Sequence, residues 1–124
     1  MKNTVLKIST VSYINAKPFV YGIERSGILT NYSLSLDTPF ACSEKLVQKK
    51  VDIGLAPVTI LPQLKEYYIL PDFCIGANGP VTSVMVYSDV ALNEIKDIAL
   101  DNQSKTSVLL VRVLAKYFWK ISPR

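Results

Sequence analysis

The chain contains no histidine. This removes the commonest general base and metal ligand, and with it any Ser-His or Cys-His nucleophile within these 124 residues. Cysteine is scarce. Cys42 and Cys74 lie far apart, without the C-x-x-C spacing of a redox or zinc motif, and both read as buried free thiols. No apolar run approaches the roughly 20 residues that cross a bilayer. Lys7 interrupts the apolar run near the N-terminus, so neither a membrane span nor a signal peptide is read, and a cytoplasmic protein is expected. Runs of like charge are missing too: the net charge of +4 is spread along the sequence, which builds no nucleic-acid face but favours acidic ligands.

What is present suits a folded chain. Nearly half the residues are apolar and 19% are charged, opposite to the composition of disorder, and the length allows one modest core. Thr4 to Ser9 and Tyr32 to Leu36 have the apolar or alternating pattern of strands. Between them Ala16 to Ser26 has helical spacing, with Gly27 as a stop. Thr38-Pro39 is a helix start, because the Thr hydroxyl can accept an N–H bond and proline gives up a donor that had no partner. Lys49 and Lys50 suit the negative end of that helix. Val51 to Leu55 reads as a third strand and Val58 to Leu64 as a helical turn.

Further on, a strand is expected from Val81 to Tyr87, a short helical turn near Leu92 to Ile95, and a strand at Ile98 to Leu100. From Ser104 the pattern is strongly helical. Lys105, Arg112, Lys116 and Lys120 fall on one face, leaving Val108, Leu109, Val111, Leu114, Ala115 and Phe118 for burial. Strands alternating with helices imply an α/β fold with a mostly parallel sheet, and such sheets bind ligands at the carboxyl ends of their strands.

Three polar loops stand at such ends. The first, Ser9 to Pro18, opens a helix where unpaired N–H groups favour anions, and its Ser12 and Asn15 can either meet a ligand or simply cap the helix. Lys17 reads as a solvated lysine, since nothing near it in sequence would lower its pKa. The second, Gly76 to Val84, sets two glycines before Thr82 and Ser83, and taken by itself reads as an ordinary turn followed by an edge strand with Thr82 facing solvent. The third, Asp101 to Ser107, places Ser104, Thr106 and Ser107 in the first turn of a helix, more hydroxyls than one cap requires. It is not a phosphate loop of the G-x-x-x-x-G-K-[ST] kind, because the glycines are missing.

Taken in this order, S-Y-I-N-A-K-P-F, V-D-I-G-L-A-P-V, C-I-G-A-N-G-P-V-T-S-V and L-D-N-Q-S-K-T-S-V-L-L resemble the chorismate dehydratase family of menaquinone biosynthesis. The resemblance runs from Ile8 to Trp119 and corresponds to the N-terminal part of a typical member. It implies a type II periplasmic-binding-protein-like architecture, truncated: residues 1–88 as a first lobe without its C-terminal return, and 89–124 as the start of a second. It implies a hydro-lyase of the futalosine route that converts chorismate to 3-enolpyruvylbenzoate and water with no metal or organic cofactor. Carried over motif by motif, Asn15 and Ser83 would be catalytic, and Ser12, Thr82, Ser104, Thr106 and Ser107 would bind substrate. Lys105 departs from the pattern, which more often has arginine there, and lacks the planar fork that grips a carboxylate bidentately. The sister enzyme of the same route relies on histidine, so a chain without histidine resembles the dehydratase.

The matched loops offer Asn, Ser and Thr, with Asp101 as the one carboxylate that could act as a base, or else as a helix-flanking charge. A mechanism is therefore expected in which the cleft orients chorismate and one of the substrate's own carboxylates takes the proton. Two other functions fit the same residues: a non-catalytic binding module for a small carboxylate, and an inactive remnant of the enzyme. No nucleic-acid or membrane partner is expected. Self-association is expected through the apolar face of helix 104 to 119.

Overall fold

The computed structural model describes residues 5–27, 30–101 and 104–124, and contacts divide the chain into two units, Met1–Ile75 and Gly76–Arg124. Thr4, Asn102 and Gln103, which the sequence reading placed in a strand and in the third loop, lie outside the described residues.

In the first unit, β1 (Leu6–Val11), β2 (Tyr32–Asp37) and β3 (Ile53–Gly54) form a wholly parallel sheet in the order β2-β1-β3. The expected alternation of strands and helices is present, with α1 (Lys17–Arg25) between β1 and β2 and α2 (Pro39–Val47) between β2 and β3. β1 runs two residues further than its apolar pattern indicated. Thr10 and Val11 pair with Leu36 and Asp37, so backbone pairing overrides the polar side chain at position 10.

α2 starts as the sequence predicts: the Thr38 hydroxyl accepts the Ala41 N–H at 3.2 Å, and Pro39 takes the first helical position. Its end differs. Lys49 turns into the left-handed region at φ 54°, while the Lys50 and Lys49 N–H groups close on the Lys45 and Leu46 carbonyls at 2.8 and 3.0 Å. Lys49 therefore stops the helix with its backbone, in a conformation that favours glycine.

Side chains alternate between the faces of a strand, and parallel partners in register share a face. Ser35, Ser9 and Gly54 consequently form a row of small residues across the sheet. α2 comes down on this row. Fully buried Cys42 donates its thiol to the Leu55 and Ser9 carbonyls at 3.0 and 3.4 Å, and Leu46 covers Gly54 so closely that a Cβ there would lie 2.5 Å from its Cδ1. Beyond β3 the expected helical turn is a 3-10 turn, Val58–Gln63, anchored by buried Ile60.

The second unit has less regular structure. The strand expected at Val81 to Tyr87 is not formed, and every residue of that stretch is exposed: β-branched residues make a strand only where a partner completes the ladder. A 3-10 turn follows at Leu92–Glu94. Ile98 to Leu100 is not a regular strand either. However, the Arg124 N–H bonds the Lys96 carbonyl at 2.8 Å and the Ile98 N–H bonds the Arg124 carbonyl at 3.0 Å, the pattern of parallel pairing around Asp97. The Arg124 guanidinium meets the Asp97 carboxylate at 3.1 Å.

α3 (Lys105–Val113) continues through Leu114–Trp119 in wider, π-helical turns, and Lys120 at φ 58° stops it. Val111 and Ala115 are its buried residues, while Leu109 and Phe118, expected in the core, are exposed, as is Cys74. The stripe that finds partners is only one helical turn long. Among the described residues no helix is long and apolar enough to cross a membrane.

Candidate functional site

The strand order β2-β1-β3 means that the chain leaves β1 toward one neighbour and later returns to pair on its other edge. In parallel sheets the crevice at the carboxyl ends of such a strand pair is where ligands bind. The segment leaving β1 at that end is the first predicted loop. Ser12 and Asn15 are exposed there, on either side of the start of a 3-10 turn, Ile14–Ala16, whose fully buried Ala16 fixes it to the unit and leads into α1.

Whether these two side chains cap the helix is settled by the geometry. The cap of the 3-10 turn is Tyr13 and that of α1 is Ala16, and neither position has a side-chain cap bond. Ser12 and Asn15 thus do not stand at the cap positions, and both residues are exposed at the carboxyl end of the central strand. Lys17 is exposed in the first turn of α1.

The other predicted residues belong to the second unit. Thr82 and Ser83 are exposed on a stretch without regular structure, after Gly79 at φ 108°. Ser104, Thr106 and Ser107 share the start of α3 and are half-buried. Here the capping reading holds: the Ser104 hydroxyl accepts the Ser107 N–H at 3.4 Å and lies 2.7 Å from the Ser107 hydroxyl. A hollow in this unit is lined by Ser88, Val90, Glu94, Ile95, Lys96 and Asp97, and contains none of the predicted residues.

A polar cluster beside the first loop went unread in the sequence. The Asp37 carboxylate accepts the Ser9 and Ser35 hydroxyls, each at 2.7 Å, and both its oxygens accept the Lys45 ammonium at 2.6 and 2.8 Å. Burial pushes the Asp37 carboxyl up, but the hydrogen bonds from Lys45, Ser35 and Ser9 outweigh it and hold the group below its ordinary 3.8. On the opposite face, the Thr10 hydroxyl is buried with no hydrogen-bond partner among the described residues. The signal for the cluster was present: the alternation of β2 puts Ser35 and Asp37 on one face, and Lys45 stands eight residues beyond Asp37 on the following helix. Only the register shows that Ser9 joins them.

Among the described residues no group of three or more histidine, cysteine, aspartate or glutamate residues is placed to hold a metal. Chemically, the β1 loop offers an amide, a hydroxyl and the N-terminal end of α1, a set that orients and hydrogen-bonds an anion.

Fold and loop together define an α/β protein with a parallel sheet and a polar loop at the carboxyl end of its central strand. The family model described as menaquinone biosynthesis matches residues 6–124, nearly the whole chain, and this chain belongs to that family.

Proposed function

We propose that this chain carries the chorismate-binding loops of a chorismate dehydratase, a hydro-lyase forming 3-enolpyruvylbenzoate and water, on a type II periplasmic-binding-protein-like framework. The observation that carries the reading is the uncapped pair Ser12 and Asn15 at the carboxyl end of β1, in a chain of the menaquinone biosynthesis family. In this reading Asn15 and Ser83 act on the reacting ring. Ser12, Thr82, Ser104, Thr106 and Ser107 hold the carboxylates, Ser104 and Ser107 while also starting α3. The loss of water needs a proton taken from ring carbon and a hydroxide expelled from the ring. Asn15 hydrogen-bonds the region where charge develops, and one of chorismate's own carboxylates takes the proton.

The test is to incubate the purified chain with chorismate and follow loss of substrate and appearance of 3-enolpyruvylbenzoate by NMR. Turnover that drops by about 10²-fold or more in Asn15→Ala supports the reading. Full activity in that variant removes Asn15 from the centre. Loss of turnover in Asp101→Asn with chorismate binding intact makes Asp101 the base instead. Binding of chorismate without any turnover leaves the chain a module for small carboxylates.

A further inference from the structure

The Lys45–Asp37 ion pair lies outside every residue assigned to substrate, yet one backbone bond ties it to them. Asp37 ends β2, and its carbonyl accepts the Ser12 N–H at 2.8 Å, carrying the β1–β2 pairing one residue beyond β1 into the loop that contains Asn15. Its carboxylate is held from three elements at once: by Ser9 on β1, by Ser35 on β2 and by Lys45 on α2, which also donates to the Ser35 hydroxyl at 3.0 Å.

Exposed ion pairs contribute little because water competes and long side chains lose freedom. Here the two side chains are only 31% and 14% exposed, and both carboxylate oxygens are occupied. Such a network fixes the orientation of the Asp37 peptide, and therefore where the Ser12 N–H must sit. A loop whose backbone is held before substrate arrives has less ordering left to do on binding.

We propose that Asp37 and Lys45 are positioning residues, which fix the Ser12 to Asn15 loop for its anionic substrate through the Asp37 carbonyl. The role in substrate binding rests on the reading that this loop contacts chorismate; the ordering of the loop does not.

The experiment compares Lys45→Met, Lys45→Arg and Ser35→Ala with the unaltered chain. The first readout is amide hydrogen exchange at Ser12 relative to Leu55, whose N–H bonds the Ser9 carbonyl. Lys45→Met is expected to speed Ser12 exchange about tenfold relative to Leu55, a size typical of losing a charge-assisted bond. Lys45→Arg should restore most of the protection. Ser35→Ala keeps the ion pair, should fold in any case, and should give a smaller change of the same sign.

The second readout is turnover of chorismate, where Lys45→Met should raise KM about tenfold with a smaller effect on kcat, and Lys45→Arg should recover it. A chain that does not turn over chorismate sinks the functional reading, while the exchange ratio still decides the inference about the loop. An unchanged ratio in both Lys45→Met and Ser35→Ala, or no recovery in Lys45→Arg, overturns it.

Discussion

Gly54→Ala is a stringent test of how α2 is seated on the sheet. Gly54 lies in β3 and is not among the glycines with positive φ, so alanine meets no backbone objection there. The obstacle is Leu46: a Cβ at position 54 would stand 2.5 Å from its Cδ1, 2.7 Å from its Cγ and 3.0 Å from its Cδ2. Ordinary carbon contact begins at roughly 3.5 Å, so the side chain must withdraw by about 1 Å. Because Cγ itself is overlapped, turning the terminal methyls does not clear the clash. Either Leu46 leaves its rotamer or α2 lifts, and lifting stretches the bonds of Cys42 and Lys45 on the same helix. Overpacking of this kind costs about 1–3 kcal/mol, and a value near 2 kcal/mol would lower Tm by roughly 8–16 °C in a unit of this size. Urea denaturation followed by circular dichroism, on Gly54→Ala, Leu46→Ala and the double variant, measures it. If the contact is the cause, Gly54→Ala costs less than about 0.5 kcal/mol in the Leu46→Ala background, leaving a coupling of about 1.5 kcal/mol. An equal cost in both backgrounds would refute the seating described here.

Acid should act on Asp37. Its folded pKa lies below the ordinary 3.8, so its contribution to stability is complete above that value and is lost as pH falls from there through the folded value. Asp37→Asn should accordingly flatten the decline of the urea midpoint between about pH 5 and pH 2, and an undiminished slope counts against the network. Lys49→Gly should stabilise the protein by about 0.5–1 kcal/mol, as relief of left-handed strain exceeds glycine's added freedom in the unfolded chain; a lower urea midpoint contradicts this. Burial pushes the Cys42 thiol above its ordinary 9.0 and shields it, whereas Cys74 is exposed. A disulfide reagent should titrate one thiol per native chain and two after unfolding, and two in the native state would contradict the burial of Cys42.

The first unit was legible because its signals are local. Alternation in Tyr32 to Leu36, the Thr38-Pro39 start, the apolar run of β1 and the short stretch Val51 to Leu55 each suffice to name an element, and the structure contains all of them, the last only as the two-residue strand Ile53–Gly54. The unread features are those that depend on register or on partners. The row Ser35, Ser9 and Gly54 exists only once three strands pair, and the stretch from Val81 to Tyr87 carries β-prone residues without the ladder that would make them a strand. The same holds for α3, where periodicity identifies an amphipathic face but not how much of it finds a partner. Val111 and Ala115 are covered, Leu109 and Phe118 are not.

For the site, the limit was chemical ambiguity. A serine, threonine or asparagine ahead of a helix can cap it or meet a ligand, and both roles use the same atoms in the same place. Geometry separates them. At α3 the Ser104 and Ser107 hydroxyls are occupied in starting the helix, so the surplus of hydroxyls there is partly structural. At α1 a 3-10 turn intervenes and shifts the cap positions onto Tyr13 and Ala16, which leaves Ser12 and Asn15 without that duty. The loop after β1 therefore has the stronger claim to a ligand. Its backbone is tied to β2 where the Ser12 N–H meets the Asp37 carbonyl, so Ser12 and Asn15 follow directly from a hydrogen-bonded end of the sheet.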